Sequence, residues 1–408
     1  MSGPRFVFAA PALISLGLSA MTVGSNVYWQ DSGYYLAAVE TMSVLYPPGF
    51  VLYQGLCKAW TGLFFFLDFT LAVHLFSAAC AALAAGTLAL ASREFLRARS
   101  GFFRVVEREP GPLEDGAAAA AGCLAACGFT FWFTATYAKG YALYYLILAQ
   151  ILLWMIRAVE SGSRRDCTVV AVLIGLAWAA HPSAALMGPA FLLFVAARAR
   201  SLGWKGVAGR TLLAAAAALG PSLALPFLAA RGSLHDMGHP AGSLRALSAH
   251  LFGSVYLTVP GVFGWDASRF ASYGRYFWEE FLGVGLAAVV LGAAVLARRR
   301  ARAFAALLLW LVPASVATLL FKMEGQHDCW FLAAWLPLFP VAALGLHDAA
   351  RRAEPRAKAV VAAAAAAALA WAVAANLSDL RMRGYDLAEA FGRAHLDNLD
   401  PDAVLLLS

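Results

Sequence analysis

Long apolar runs constrain this chain more than any other feature. Residues 6–24 and 69–92 hold no Asp, Glu, Lys or Arg, and about 18 such residues are enough to cross a bilayer. Inside hydrocarbon a helix satisfies its own backbone, so the runs predict an all-α polytopic membrane protein. Spans are expected near 6–24, 69–92, 116–136, 141–158, 167–180, 183–197, 211–230, 281–297, 303–321, 330–346 and 359–375, about eleven in all. Residues 6–24 resemble a signal-peptide core, but their length and the apolar sequence that follows read as an uncleaved first span. Composition agrees: 62% of residues are hydrophobic and 13% charged, where soluble domains average about 25% charged.

The net charge of +7 does not indicate a nucleic-acid partner. The basic residues cluster at the ends of apolar runs, as topology signals do. Arg5 and the clusters within 93–108, 157–165, 198–210, 298–302 and 351–358 fall on one set of connections. By the positive-inside rule that set is cytoplasmic. The N-terminus is then inside, and the tail 376–408 outside. The six cysteines are scattered. Cys80, Cys123 and Cys127 sit in apolar runs, where Cys packs as a small hydrophobe, and no disulfide framework or metal spacing is expected.

The spans 167–180 and 183–197 are short for a core of about 30 Å at about 1.5 Å per residue. Strongly basic flanks on both sides still favour a hairpin. Its tip, "AAHPSAAL", then lies within membrane depth, and His181 lines a protein cavity, because a polar side chain facing lipid is costly.

The predicted layout is a transmembrane domain over 1–375 with two long outer loops. Loop 25–68 opens with "DSGYYLAAVETMSV", a helix with Asp31 or Ser32 at its N-cap. Pro47-Pro48-Gly49 breaks it, and a second, interfacial helix follows. Loop 231–280 carries "HDMGHPAGSLRALSAH". The outer side thus collects Asp31, Lys139, His181, His239, Arg245, His250, Lys322, His327 and Asp328, with Tyr34, Tyr35, Tyr137 and Tyr141 among them. Each has a plain structural reading: a helix cap for Asp31, snorkelling for Lys139 and Lys322, a satisfied interior histidine for His181. Loop solvation would account for His239, Arg245 and His250, a helix start for His327-Asp328, and an aromatic belt for the tyrosines. Their convergence on one face favours a site.

The order of these pieces resembles a family. "DSGYYLAAVETMSVLYPPGF" is similar to the first outer loop of the GT-C glycosyltransferases that act as transmembrane protein O-mannosyltransferases on receptor ectodomains, and of their bacterial homologues. That family typically reads Asp-Ser/Cys-Gly-Glu-Phe, then His-Pro-Pro-Gly. "FTFWFTATYAKGYALYYLI", "GLAWAAHPSAALMGPA", "MGHPAGSLRALSAHLFGSVY" and "GQHDCWFLAAWLPLF" resemble further family segments in order. "YDLAEAFGRAHLDNLDPDAVLLLS" looks like the family's post-membrane segment, which normally continues into an outer soluble region. The departures lie in the polar positions. Tyr34 stands where the family has Glu, Lys139 replaces another Glu, Tyr46 a His, His239 an Asp and His327 an Arg.

The resemblance implies a sugar donor carried on a polyprenyl phosphate or pyrophosphate and used on the outer face. An acceptor hydroxyl needs a base, and Asp31 is the candidate. A phosphate leaving group needs cations and donors rather than a general acid. Lys139, His181, Arg245, His250, Lys322, His327 and Asp328 are the candidates around the donor, with Tyr34, Tyr35, Tyr137, Tyr141 and His239 lining the pocket. One carboxylate among cations suits an inverting single displacement. A divalent metal on Asp31 with Asp328 or Asp236 has no dedicated ligand spacing, and none is expected to be required. The expected partners are membrane lipid, the lipid-linked sugar and a protein or glycan acceptor. The expected placement is a bacterial inner membrane, with the site facing the periplasm. Two alternatives stay open: a lipid-linked-sugar flippase, and a catalytically inactive scaffold of the same fold.

Overall fold

A computed structural model describes residues 3–28, 31–104, 106, 111–232, 243–258, 261–322 and 327–397. The described residues form helices, plus one antiparallel bridge between Phe263 and Phe321. In order they are α1 (Pro4–Thr22), α2 (Ser32–Thr41), α3 (Val51–Leu63), α4 (Phe69–Arg97), α5 (Pro112–Cys127), α6 (Phe129–Thr136), α7 (Tyr141–Ser161) and α8 (Arg164–Ala180). A 3-10 turn over Pro182–Met187 leads to α9 (Gly188–Leu219) and α10 (Leu225–Ala229). Then come α11 (Leu244–Leu251), α12 (Ser254–Leu257), α13 (Ser268–Phe281), α14 (Val284–Arg299), α15 (Ala301–Leu320), α16 (His327–Trp335), α17 (Leu338–Arg352), α18 (Pro355–Leu380) and α19 (Leu387–Leu396).

Among the described residues, six helical stretches are long and apolar enough to cross a membrane, and nine if each bent pair counts as one span. The predicted count of eleven is therefore not established. Two features account for the difference. Helix α8 has only 17 residues, and the stretch 182–229 is scored as one candidate. Gly203, at φ +69°, breaks α9, and the contacts show that the chain doubles back there. Arg198, before the break, donates to the Gly162 carbonyl at 2.7 Å. Arg210, after it, donates to the Arg164 carbonyl at 2.7 Å. Both halves of α9 thus meet the same end of α8. Helix α18 also runs on to Leu380, beyond the predicted end at 375.

The core is built on α4, which packs along α1, α5 and α7, while α14 packs along α17 and α8 along α9. The break between α5 and α6 bends the chain by 62°. It falls at Gly128 because the buried Glu280 carboxylate sits there and accepts the Thr130 amide at 3.0 Å. A Cβ on Gly128 would collide with that carboxylate.

The basic connections meet at one end of the bundle. Asp115 accepts from Arg93 and Arg97, each at 2.8 Å. Arg300 bonds the Arg104 carbonyl at 2.5 Å, Glu160 takes the Arg99 amide at 2.7 Å, and Glu114 meets His347 at 3.0 Å. Asp31, Lys139 and His181 lie at the opposite end, as alternation of spans requires.

Candidate functional site

Asp31 occupies the N-cap position of α2, yet its side chain makes no capping bond. The helix-cap expectation therefore fails for the carboxylate. Instead Asp31 Oδ2 forms an ion pair with Lys139 Nζ and accepts a hydrogen bond from the Tyr46 hydroxyl at 3.1 Å. The Asp31 side chain keeps 39% exposure while that of Lys139 keeps 11%, so the pair has a buried cation and an open acid.

Lys139 sits in the short turn between α6 and α7, where its own amide bonds the Tyr137 carbonyl at 2.8 Å. Its ammonium also lies 5.2 Å from the Tyr141 ring centre, at cation–π distance. Tyr141 in turn packs 5.4 Å from the His181 ring. Tyr144, Phe50 and Trp330 complete the nest around that imidazole, at 5.3, 6.0 and 5.9 Å. The Trp330 indole donates to the Tyr141 hydroxyl at 2.8 Å.

The His181 nest also fixes a tautomer. The Ser183 backbone N–H donates to Nδ1 at 3.2 Å, so Nδ1 carries the lone pair and the neutral ring holds its proton on Nε2. The Ser183 hydroxyl lies 2.8 Å from the same nitrogen and 3.1 Å from Tyr144 Oη. Pro182 opens the turn that makes this possible, because the helix α8 ends at His181 in extended geometry.

Phenols surround the acid. Burial pushes Tyr35 and Tyr46 well above the ordinary range, and the Asp31 charge adds to both. Burial raises Tyr137 as well, with the Ser32 amide as hydrogen-bond partner. Burial and Asp31 lift Tyr256 to about 12. All four stay protonated, and so remain available as hydrogen-bond donors. Tyr256 also donates to the Pro47 carbonyl at 3.0 Å, tying α12 to the Pro-Pro-Gly turn. Gly49 there has φ +92°, and its neighbour is the buried His250 ring.

The loop before Asp31 is held from the far end of the chain. Asn26 donates to the Tyr385 carbonyl at 2.9 Å, the Met382 amide bonds the Thr22 carbonyl at 2.8 Å, and Tyr28 stacks on His74 at 4.2 Å.

The structure therefore brings Asp31, Lys139, His181, Tyr35, Tyr137 and Tyr141 into one cluster. Tyr34 is half exposed and reaches only the edge of Tyr46. His250 packs directly on Gly49 of that turn. Asp328 heads α16, two residues before Trp330. Arg245 is exposed on α11, and Lys322 is exposed beside Gly264. Their places are set by α11 and by the Phe263–Phe321 bridge. His239 and the His327 side chain lie outside the described residues. The site also uses Tyr46, Tyr144, Ser183, Trp330 and Tyr256, which sequence reasoning did not put in it. Only Tyr46 carried a signal, its place directly before Pro-Pro-Gly. Among the described residues, no three His, Cys, Asp or Glu side chains converge as metal ligands.

Comparisons with known proteins bear on this arrangement. Curated protein sequences give no match. Among solved structures, the chain is similar to the Archaeoglobus fulgidus oligosaccharyltransferase in its apo form. The TM-score is 0.58 at 15% identity, over 98% of this chain and 58% of that one. The same enzyme with Zn and sulfate gives 0.56 at 17%, over 91% and 53%. ArnT from Cupriavidus metallidurans gives 0.54 at 15%, over 87% and 60%. The chain thus spans just over half the length of these proteins. The family described as "Protein O-mannosyl-transferase TMEM260 N-terminal domain" matches residues 31–203, the stretch from Asp31 to the break at Gly203. This chain is an integral membrane protein of the GT-C fold, and its residues 31–203 match the TMEM260 protein O-mannosyl-transferase N-terminal domain.

Proposed function

We propose that this chain is a membrane glycosyltransferase that moves a sugar from a polyprenyl-phosphate carrier to an acceptor hydroxyl on the outer, periplasmic or lumenal face. The carrying observation is the Asp31 carboxylate: partly open, free of helix capping, and held by Lys139 and Tyr46. The similar A. fulgidus protein is an oligosaccharyltransferase described in complex with an inhibitory peptide and a dolichol-phosphate, and the matched family carries an O-mannosyl-transferase name. Both support a lipid-linked donor and a protein acceptor.

The residues suit one inverting displacement. The acceptor oxygen attacks the anomeric carbon while the carbon–oxygen bond to phosphate breaks. The electron pair leaves with the polyprenyl phosphate, and the hydroxyl proton passes to Asp31. An incoming donor phosphate competes with Asp31 for Lys139. Drawing the ammonium toward the phosphate stabilises the leaving group and frees the carboxylate to act as base. His181 Nε2–H and the neutral phenols add donors without adding charge.

The test uses the full chain in proteoliposomes with polyprenyl-phosphate mannose and a Ser/Thr peptide, scored by label transferred to peptide. Asp31→Asn should insert normally and lose about 100-fold or more of turnover, the scale of a general base. Turnover near wild type in Asp31→Asn would remove Asp31 from the role. A second reading draws on Lys139 itself, which stands where the resembled family carries an acid. A permanent Lys139–Asp31 pair would leave a protein that binds donor and transfers nothing, and the same assay shows this as donor retention without peptide labelling.

A further inference from the structure

The doubled-back helix α9 walls a cavity away from Asp31. It has a volume of about 380 Å³ and lies among α8 and the two halves of α9, walled by Val170, Ile174, Phe191, Phe194, Val195 and Leu202. Its walls are almost wholly apolar, and its size falls within the roughly 300–1,000 Å³ of ligand pockets. Two guanidinium groups, Arg198 and Arg210, stand on its lining. They mark the Arg164 end of α8, about 25 Å from His181 at 1.5 Å per residue. The charged end of the cavity therefore lies at the end of the bundle opposite the Asp31 cluster.

Neither guanidinium has an acidic partner among the described residues. Each is tied to backbone carbonyls only: Arg198 to Gly162, Arg210 to Gly206 and Arg164. In each, Nε is buried without a hydrogen-bond partner, a costly arrangement for a charged group. Arg164, Arg165, Arg200 and Lys205 crowd the same end. The acids nearby are already used: Asp166 accepts from Ser161, and Glu160 holds the Arg99 and Ser100 amides.

We infer that this cavity is a binding site for an anionic glycerophospholipid, its acyl chain between α8 and α9 and its phosphate against Arg198 and Arg210. An apolar slot joined to unneutralised guanidinium is complementary to such a lipid at both ends. Arg suits a phosphate through its planar fork of donors. A free phosphate would leave the apolar slot empty, and a zwitterionic lipid would place a choline beside the cations. The lipid would also brace the break at Gly203, which has no neighbour within 4 Å of a built Cβ.

The full chain is purified, reconstituted in nanodiscs of phosphatidylcholine with an equal part of phosphatidylglycerol, and examined by native mass spectrometry after detergent release. Wild type should retain phosphatidylglycerol over phosphatidylcholine by about tenfold. The double variant R198Q/R210Q should lose that preference. Because both arginines also anchor α9, Ala171→Phe serves as the second variant. It fills the slot from α8, keeps every charge, and should lower retention of both lipids several-fold. Equal retention of the two lipids by wild type overturns the inference. So does an unchanged lipid count in Ala171→Phe, or displacement of the lipid by millimolar inorganic phosphate.

Discussion

Tyr46 hydrogen-bonds the Asp31 carboxylate at 3.1 Å from a position 15 residues further along the chain. The bond spans the whole of α2, so the acid is positioned by the Pro-Pro-Gly side of the loop as well as by its own helix. Tyr46 is itself lodged against Tyr35 and Phe50 at 6.0 and 5.6 Å. Removing only its hydroxyl should leave the packing and free one side of the carboxylate. Tyr46→Phe is expected to cost about 1 kcal/mol of stability, the worth of one such bond. It should lower kcat about tenfold at nearly constant KM, as steady-state kinetics would read. An unchanged kcat would show that Lys139 alone sets the carboxylate.

Lys139 is the residue through which donor binding and base activation are coupled. A charge-assisted hydrogen bond is worth about 1.5–3 kcal/mol, so Lys139→Gln should raise the KM for a polyprenyl-phosphate donor by tenfold or more. Lys139→Glu, which restores the acid of the resembled family pattern, instead places two carboxylates together. That variant should bind no donor at neutral pH unless a cation bridges the acids. Donor titration with and without millimolar divalent metal distinguishes the outcomes. Donor affinity unaffected by Lys139→Gln would take the cation out of phosphate binding.

His181 offers a way to separate packing from hydrogen bonding. Four aromatic rings enclose it, so His181→Phe should keep the nest filled and hold the melting temperature within a few degrees. The variant loses the Nε2 donor, and turnover should fall by about 10²-fold, the loss seen when one oxyanion donor is removed. A parallel fall in stability and activity would mark His181 as structural, the ordinary reading of a histidine beside proline.

The parts of the site that the sequence displayed are those fixed by local chemistry. Asp31 beside Ser-Gly, Lys139 between tyrosines and His181 before Pro182 each stood out against an apolar background, and these three do converge. What it could not display is which aromatic residues face inward. Tyr144 and Trp330 look the same as belt residues until α7 and α16 meet around His181, and Tyr256 until α12 meets the Pro-Pro-Gly turn. Where Arg245 and Lys322 sit was hidden for a related reason: a cation on a long loop is placed by tertiary contacts. The span count is not established where helix length is a poor guide. Helix α8 is short, and the turn at Gly203, inside the basic stretch 198–210, lies within a single run of helix.

Helices α14 and α17 approach so closely that their glycines face each other's backbone. A Cβ on Gly292 would collide with the Val341 carbonyl, and a Cβ on Gly345 with the Ala288 carbonyl. The relation is reciprocal, as in membrane helix pairs that pack through small residues. Gly345→Ala must therefore push the helices apart, at about 1–3 kcal/mol by the usual cost of overpacking. Gly209→Ala in α9, where a Cβ meets nothing within 4 Å, should be neutral or slightly stabilising. One shift of the helix pair makes room for both methyls. The double variant G292A/G345A should then lose clearly less than the sum of the singles, the signature of residues sharing one contact. Thermal unfolding of wild type, the three single variants Gly292→Ala, Gly345→Ala and Gly209→Ala, and the double variant in a common detergent gives the comparison. Full additivity, or a Gly345→Ala melt equal to wild type, would mean that the helices do not meet at this pair, and that the α14–α17 contact does not fix how α16 and Trp330 are carried to the His181 nest.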